Sequence, residues 1–270
     1  MSPEENNNGE KVKIYLLPNL MTAGNLACGF FALTWIIKYQ PGTTDFEPIR
    51  SAIQLILGAF AFDFFDGRIA RISRKESQFG REFDSLADIV SFGVAPAFLV
   101  YRIVLQDFPK TAWIFAAIYL VCGGIRLARF NVLSLVGAAK SGKEFVGFPI
   151  PSAAAVVVSV TLFMMWLAGH DRELGKWRFA MPVLLVAVSV LMVSNVRYPT
   201  FKEVEWTFQR SVAAFAAVVV IALLLALYFQ VTLAALFVAY LLYGLARPWV
   251  SKRWRREIES DGNGDEPTAG

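Results

Sequence analysis

The sequence predicts an all-α integral membrane protein with about eight transmembrane helices, on the basis of its composition and of where its charges fall. Hydrophobic residues make up 56% of the 270 residues and charged residues only 18%, with a mean hydropathy of +0.49. A soluble domain averages about 45–50% apolar and about 25% charged residues. Runs without Asp, Glu, Lys, Arg or His cover 14–37, 111–125, 145–169, 179–196 and 211–246. This pattern excludes soluble, disordered and disulfide-stabilised proteins.

The individual spans follow from the requirement for roughly 20 mostly apolar residues per membrane helix. The run 211–246 is too long for one helix and too short for more than two, so we expect a tight turn near Gln230 to divide it. The predicted spans lie at about 19–38, 51–71, 82–103, 112–131, 150–168, 179–195, 211–228 and 231–247.

The distribution of positive charge predicts the orientation of these spans. Most of the 26 Lys and Arg residues fall on the side of the membrane that holds the N-terminus. Because cytosolic loops are enriched in Lys and Arg, we expect both termini in the cytosol. The segment 247–256 combines tryptophan with several cations after the last span and is expected to lie on anionic lipid headgroups.

Two of the predicted spans contain carboxylates, which membrane helices ordinarily exclude. Only twelve uncharged residues separate Arg50 from Asp63, so a helix of about 20 residues must continue past both Asp63 and Asp66. In the next span, Asp84 and Asp88 precede a run of only thirteen uncharged residues. We therefore expect four aspartates inside the membrane, two on each of two consecutive helices.

The spacing of the four aspartates brings the two pairs close to each other. Asp63 and Asp66 are three residues apart and Asp84 and Asp88 are four apart, so each pair shares a helix face. The short basic loop between the helices makes them antiparallel and brings the two pairs opposite each other. Since four carboxylates cannot all stay ionised there, either several are protonated or divalent cations neutralise them. Oxygen ligands suit Mg²⁺, Mn²⁺ or Ca²⁺.

The residues between the acids indicate phosphate chemistry. Gly67 and Ala70 continue the face of the first aspartate, and small residues let a ligand or a helix approach closely. Arg71 can bind a phosphate with its guanidinium group. Ser77 and Gly80 are predicted in the loop, where they would add hydroxyl and backbone donors. A cation cluster flanked by these residues points to phosphoryl transfer or phosphate binding.

These residues form a pattern that resembles, in full, the signature of the CDP-alcohol phosphotransferase family. The resemblance implies an integral membrane enzyme that uses two divalent cations, Mg²⁺ or Mn²⁺, transfers a phosphatidyl-type group from a CDP-linked lipid to an alcohol, and releases CMP. It also implies a homodimer. The pattern is Asp63-x2-Asp66-Gly67-x2-Ala70-Arg71-x8-Gly80-x3-Asp84-x3-Asp88.

The resemblance also implies roles for the residues of the signature. The first three aspartates would be metal ligands. The fourth, Asp88, would bind the second metal and act as the base for the acceptor hydroxyl. The Gly, Ala, Arg and Gly positions would surround the CDP moiety.

Further stretches, at 17–30, 123–132, 145–155 and 191–202, resemble the phosphatidylserine synthase branch of this family. The implied substrates are then CDP-diacylglycerol, or an archaeal-type ether analogue, and L-serine. Within the family, the alternative is transfer to glycerol-3-phosphate or an inositol phosphate, as in phosphatidylglycerophosphate or phosphatidylinositol-phosphate synthases. Outside it, the alternative is a cation transporter that uses the four acids as its ion site.

Polar residues within these stretches are candidate substrate contacts. Asn19, Thr22 and Asn25 lie near the cytosolic start of span one and could simply begin the helix, but the resemblance favours contacts to CDP. Four cations at cytosolic helix ends are candidates for binding the acceptor carboxylate or a phosphate, with membrane anchoring as the alternative. They are Arg126, Arg129, Arg197 and Lys202.

The predicted domain organisation has four parts. A polar cytosolic tail occupies 1–13, and a catalytic membrane core of six helices occupies 14–205. A C-terminal transmembrane hairpin at 206–248, which the resemblance does not cover, is expected to be a structural addition. A basic juxtamembrane segment and a disordered tail follow at 249–270.

Overall fold

The computed structural model describes residues 16–41, 43, 45–73, 78–105, 112–135, 144–168, 179–199 and 212–246. Within them the regular structure consists of α-helices, one π-helical turn and two short strands. The helices are α1 (Leu16–Lys38), α2 (Glu47–Ser73), α3 (Gln78–Asp88), α4 (Ala95–Ile103), α5 (Trp113–Leu135), α6 (Ile150–Ala168), α7 (Ala180–Val193), α8 (Val212–Leu227) and α9 (Phe229–Ala246). The strands are β1 (Glu144–Val146) and β2 (Arg197–Pro199).

Six helices among the described residues are long and apolar enough to cross a membrane, which confirms a helical integral membrane protein. They are Pro18–Lys38, Glu47–Ile69, Gln78–Ile103, Trp113–Leu133, Ile150–Leu167 and Phe229–Ala246. The two remaining predicted spans coincide with α7 and α8, which have 14 and 16 residues. At 1.5 Å per residue these helices are about 21 and 24 Å long, so the count of eight spans stays a prediction.

The third span is one long helix that contains a π-helical turn. The turn Ile89–Val94 joins α3 to α4, and the N–H of Ala95 bonds to the carbonyl of Val90, five residues back. Pro96 follows directly and has no N–H to donate to the carbonyl four residues earlier. The widened turn accommodates this missing bond without ending the helix.

The described residues form two compact units, one up to Ala95 and one from Pro96. In the first unit, α1 packs against α2, α3 and the π-helical turn. Glycines on α1 permit this close packing, since a Cβ built on Gly24 would lie 2.8 Å from the Phe62 ring. The ring of Phe60 lies 4.5 Å from that of Phe92, which ties α2 to the π-helical turn.

Helix α2 begins at Glu47, four residues before the predicted start of span two. The carboxylate of Asp45 accepts a hydrogen bond of 3.0 Å from the N–H of Glu47, and such a bond satisfies a donor at a helix N-terminus. The helix then continues without a break past Asp63 and Asp66 to Ser73. The prediction that span two carries both aspartates within its helix is therefore confirmed.

The second unit is built around α6. Residues 153–159 of this helix are all buried, as expected for a helix that is apolar on every side. Helix α6 packs against α5, α7 and α9, and α5 also packs against α7. Helices α8 and α9 meet at Tyr228, so the predicted break near Gln230 lies two residues earlier than expected.

The strands form a small antiparallel ribbon that an all-α prediction did not include. Glu144 pairs with Pro199 and Val146 with Arg197. Gly147, which follows β1, has φ +81 and donates from its N–H to the Val196 carbonyl at 2.9 Å. The segments just before α6 and just after α7 thus satisfy backbone groups by pairing. Hydropathy carries no signal for such short strands.

Candidate active site

Three of the four predicted aspartates come together between α2 and α3. One carboxylate oxygen from each of Asp63, Asp66 and Asp84 lies within 4.8 Å of the other two. Asp66 is buried, with 6% of its surface exposed, and the other two are half-buried. The helical spacing of the first two acids and the separation of α2 from α3 by only four residues explain this arrangement. Asp88, one turn further along α3, is not a member of the group.

The donor set of this group fits a divalent cation. Asp84 Oδ1 is buried and, among the described residues, has no hydrogen-bond partner. A buried carboxylate oxygen without a donor is costly unless a cation or a proton neutralises it. Oxygen ligands alone favour hard cations such as Mg²⁺ or Mn²⁺ over zinc, which prefers nitrogen and sulfur.

Helix α1 supplies polar partners to the acids on both of the other helices. The hydroxyl of Thr22 lies 3.2 Å from Asp66 Oδ2 and also 3.2 Å from the Pro18 carbonyl, so one proton serves either acceptor. The side-chain amide of Asn25 donates to Asp88 Oδ1 at 3.2 Å. Because Thr22 and Asn25 are three residues apart, they project from the same face of α1.

The two residues of α1 predicted to contact CDP are thus placed directly beside the aspartates. Thr22 and Asn25 are both buried. A third predicted contact, Asn19, has a buried side-chain nitrogen without a partner among the described residues, and Asn25 Oδ1 is in the same condition. One donor and one acceptor therefore remain available to a ligand on this face of α1.

The small residues of the signature are only partly described. Gly67 is half-buried on α2, next to Asp66. Ala70 and Arg71 lie on the same helix, and their side chains are outside the described part of the chain. Ser77 lies outside the described residues altogether.

The prediction that Gly80 lies in a loop is wrong. Helix α3 begins at Gln78, so Gly80 belongs to its first turn. Predicted span three started at residue 82 because hydropathy detects only the apolar part of a helix. The first turn of α3 is polar and continues beyond that part.

The candidate acceptor residues belong to the second unit. Arg126 is buried on α5, with its guanidinium carbon 5.3 Å from the centre of the Phe130 ring. Arg129 donates to the Val193 carbonyl at 3.3 Å and to Asn195 Oδ1 at 2.7 Å. The guanidinium of Arg129 therefore holds the C-terminal end of α7, where cations stabilise exposed carbonyls.

The structure describes less of the other two candidate acceptor residues. Arg197 lies on β2, where it pairs with Val146, and its side chain is outside the described part of the chain. Lys202 lies outside the described residues. Asn195 was missed by the sequence interpretation, although it falls in the stretch 191–202 that carries the branch resemblance.

Comparison with known proteins identifies close relatives of the chain. A sequence model of the CDP-alcohol phosphatidyltransferase family matches residues 15–194. The CDP-diacylglycerol--serine O-phosphatidyltransferase of Helicobacter pylori strain J99 is 36% identical over 243 residues, covering 88% of this chain and 92% of the relative. Its Bacillus subtilis counterpart is 33% identical and covers 69% and 92%. The archaetidylserine synthase of Methanothermobacter thermautotrophicus is 35% identical and covers 71% and 73%.

Proposed function

The chain belongs to the CDP-alcohol phosphatidyltransferase family and is a transferase embedded in the membrane, and we propose that it is a CDP-diacylglycerol–serine O-phosphatidyltransferase. The observation that carries this proposal is the convergence of Asp63, Asp66 and Asp84 within 4.8 Å, beside a face of α1 with available polar atoms. Relatives that act on serine, from bacteria and from an archaeon, support serine as the acceptor.

The carboxylates are proposed to hold two divalent cations, Mg²⁺ or Mn²⁺. Asp63, Asp66 and Asp84 would bind the first, and Asp88 would take part in binding the second. Bound cations would neutralise the diphosphate of the lipid donor and the charge that develops on departing CMP. The hydrogen bond from Thr22 would hold Asp66 in place before any substrate arrives, and the buried Asp84 Oδ1, which has no partner among the described residues, would be available to a cation.

Asp88 is proposed as the base that takes the proton of the serine hydroxyl. The serine oxygen forms a bond to the phosphorus that carries diacylglycerol, the bond from that phosphorus to the bridging oxygen breaks, and this oxygen leaves with CMP. The proton moves to Asp88. Asn25 fixes one carboxylate oxygen by its hydrogen bond and leaves the other for the proton transfer.

The CDP moiety is proposed to bind along α1 and the signature residues. The available donor of Asn19 and acceptor of Asn25 suit the polar edges of a nucleotide, and Thr22 lies between them on the helix. Glycines on α2 and α3 give a ligand close access to the backbone. The proposed contacts are Asn19, Thr22, Asn25, Gly67, Ala70, Arg71, Ser77 and Gly80.

Positively charged side chains of the second unit are proposed to bind the acceptor, serine. A serine carboxylate requires at least one positive partner, and buried Arg126 is suited to it because a guanidinium binds a carboxylate through two parallel hydrogen bonds. Arg129 is already engaged at the end of α7, so its contribution would be to position the segment that leads to Arg197 and Lys202.

The proposed topology places the active site at the cytosolic side, with both termini in the cytosol. The excess of Lys and Arg on that side supports this orientation. We also propose eight spans in total, arranged as a catalytic core at 14–205 and a C-terminal hairpin at 206–248, and a homodimer as the assembled form.

Transfer of labelled serine tests the function. Purified protein in detergent is incubated with CDP-diacylglycerol and radiolabelled L-serine, with Mg²⁺, with Mn²⁺ or with EDTA. We expect labelled lipid and an equal amount of CMP, both abolished by EDTA. CMP release with glycerol-3-phosphate or an inositol phosphate but not with serine would reject serine as the acceptor. No cation-dependent CMP release with any of these alcohols would reject the transferase function.

A further inference from the structure

A chain of buried polar contacts links the π-helical turn to Asp88. The hydroxyl of Ser91 donates to the backbone carbonyl of Asn25 at 2.9 Å, and the side-chain amide of Asn25 donates to Asp88 Oδ1 at 3.2 Å. Ser91 and Asn25 are 0% exposed and Asp88 is 7% exposed. The helix that carries Asp88 thus contacts Asn25 twice, once at its backbone and once at its side chain.

The hydrogen bond of Ser91 is directed in an unusual way for a serine within a helix. Such a hydroxyl ordinarily bonds to a carbonyl of its own helix, three or four residues back. The equally buried Ser159 and Ser189 do so, at 3.0 Å to Val156 and 2.6 Å to Leu185. Ser91 instead reaches across to α1. Its hydrogen bond therefore connects the π-helical turn to α1. The backbone carbonyl of Asn25 accepts this bond in addition to its ordinary bonding within α1.

Gly29 makes this contact possible. A Cβ built on Gly29 would lie 2.8 Å from the Cα of Ser91, which is closer than real Cβ atoms approach a backbone atom. Only glycine fits, so α1 and the π-helical turn meet backbone to backbone at this level. Since Gly29 is one turn beyond Asn25 on α1, the close contact lies directly beside the residue that holds Asp88.

The π-helical turn lies at this contact. It begins at Ile89, immediately after Asp88, and it contains Ser91. Asp88 and Ser91 are three residues apart in the chain, and both contact Asn25. Single π-helical turns within α-helices occur frequently at functional sites.

On the basis of the function proposed above, we propose that Ser91 is a positioning residue for Asp88 and acts through Asn25. The hydrogen bond of Ser91 holds the backbone of Asn25 in place. This limits the positions of the Asn25 side-chain amide, which in turn orients the Asp88 carboxylate. Without this constraint Asp88 would occupy the proton-accepting orientation for a smaller fraction of the time. Because Ser91 is fully buried and its hydroxyl is bonded to a backbone carbonyl, we expect the effect on turnover and not on substrate binding.

The first test compares Ser91→Ala with Ser159→Ala, which removes an equally buried hydroxyl that bonds only within its own helix. We expect Ser91→Ala to lower kcat about fivefold to tenfold, in line with one hydrogen bond. The KM for CDP-diacylglycerol, the Mn²⁺-dependent affinity for CDP and Tm are expected to match those of Ser159→Ala. Equal kcat in the two variants, or a loss that appears in Tm and CDP affinity, would overturn the proposal.

The second test asks whether Ser91 acts through Asn25. Residues that act in one chain give non-additive effects, so Ser91→Ala should lower kcat less than about 1.5-fold in an Asn25→Ala background. A full additional loss would overturn the proposal. Gly29→Ala, which displaces Ser91 without altering its chemistry, is expected to reproduce the kcat loss of Ser91→Ala. Its control is Gly58→Ala, where the new Cβ would lie 3.6 Å from Cys28 Sγ, an ordinary contact.

The wild-type enzyme separates this proposal from the proposed function. A wild type that releases CMP while Ser91→Ala equals its control overturns the positioning role alone. A wild type that releases no CMP with any alcohol overturns the transferase and the positioning role together.

Discussion

The side-chain amide of Asn25 donates to Asp88 Oδ1 across 3.2 Å, from a helix that holds no carboxylate to one that holds three. Three residues earlier on the same face, Thr22 reaches Asp66 on a different helix. Helix α1 therefore braces both of the acid-bearing helices. The arrangement of the site depends on this first helix as much as on the helices that supply the acids.

Asp88→Asn is expected to abolish turnover while nucleotide binding survives. The substitution keeps the shape of the side chain but removes its capacity to take the proton of the acceptor hydroxyl. General bases contribute about 100-fold to 10,000-fold to rate, so kcat should fall by at least about 100-fold. The measurement is CMP release, together with CDP affinity in the presence of Mn²⁺.

Asp63→Asn is the matched comparison for this prediction. It removes one charge from the group of three carboxylates within 4.8 Å and should weaken Mn²⁺-dependent CDP binding as well as turnover. If Asp88→Asn lost CDP binding to the same degree as Asp63→Asn, a role for Asp88 as base would be contradicted.

Thr22→Val is expected to weaken the response to the cation. The variant keeps the volume of the side chain but leaves Asp66 without its hydroxyl donor. Losing one such bond, about 1 kcal/mol, corresponds to a rise of roughly threefold to tenfold in the Mn²⁺ concentration for half-maximal activity. The rise of Tm on addition of Mn²⁺ should shrink in parallel.

Two further variants serve as controls for that prediction. Thr22→Ser keeps the donor and should behave like the wild type. Thr161→Val removes an equally buried hydroxyl that bonds to the Val157 carbonyl within its own helix, so the response to Mn²⁺ should not change. Identical Mn²⁺ responses in Thr22→Val and Thr161→Val would contradict a role for Thr22 at the cation site.

The convergence of three acids could be predicted from the sequence because it depends on local spacing. Asp63 and Asp66 share a face through helical periodicity, and only four residues separate their helix from the next one, which carries Asp84. The partners of the acids depend on packing between helices. No sequence periodicity reports that Ser91, within a π-helical turn, donates to the carbonyl of Asn25, or that Gly29 leaves the space for it.

The second unit contains features that sequence patterns could not predict. Arg129 was expected either to anchor the protein at the membrane surface or to bind the acceptor, and its hydrogen bonds go to the end of α7. The ribbon of β1 and β2 was not expected because strands of three residues have no detectable alternation. Both features arise where loops from distant parts of the sequence meet, and contacts of that kind become visible only in the folded chain.

Arg129→Gln and Asn195→Ala are expected to lower stability through the same interaction. Arg129 donates to Asn195 Oδ1 at 2.7 Å in an exposed setting, so their coupling energy should be about 0.5–1 kcal/mol. The measurement is a double-mutant cycle on the free energy of unfolding in a mild detergent. Additive effects would show that the contact contributes nothing. A rise in the KM for serine with Arg129→Gln but not with Asn195→Ala would indicate direct acceptor binding by Arg129.

Gly147→Ala is expected to destabilise the second unit by more than a typical surface substitution. At φ +81 a residue with a Cβ costs about 1–2 kcal/mol, and a Cβ built there would also lie 2.5 Å from the Met192 carbonyl oxygen. The two causes can be separated with Gly147→Asn, because asparagine tolerates this conformation better but occupies the same space. If the close approach to the Met192 carbonyl oxygen is the main cause, Gly147→Ala and Gly147→Asn should lower Tm equally. A smaller loss of Tm with Gly147→Asn would assign the effect to the backbone conformation. Gly58→Ala, which meets only an ordinary contact on α2, is the control and should leave Tm nearly unchanged. We expect the two Gly147 variants to lower Tm similarly, because the close neighbour is a backbone atom of α7 that cannot move without displacing the end of that helix.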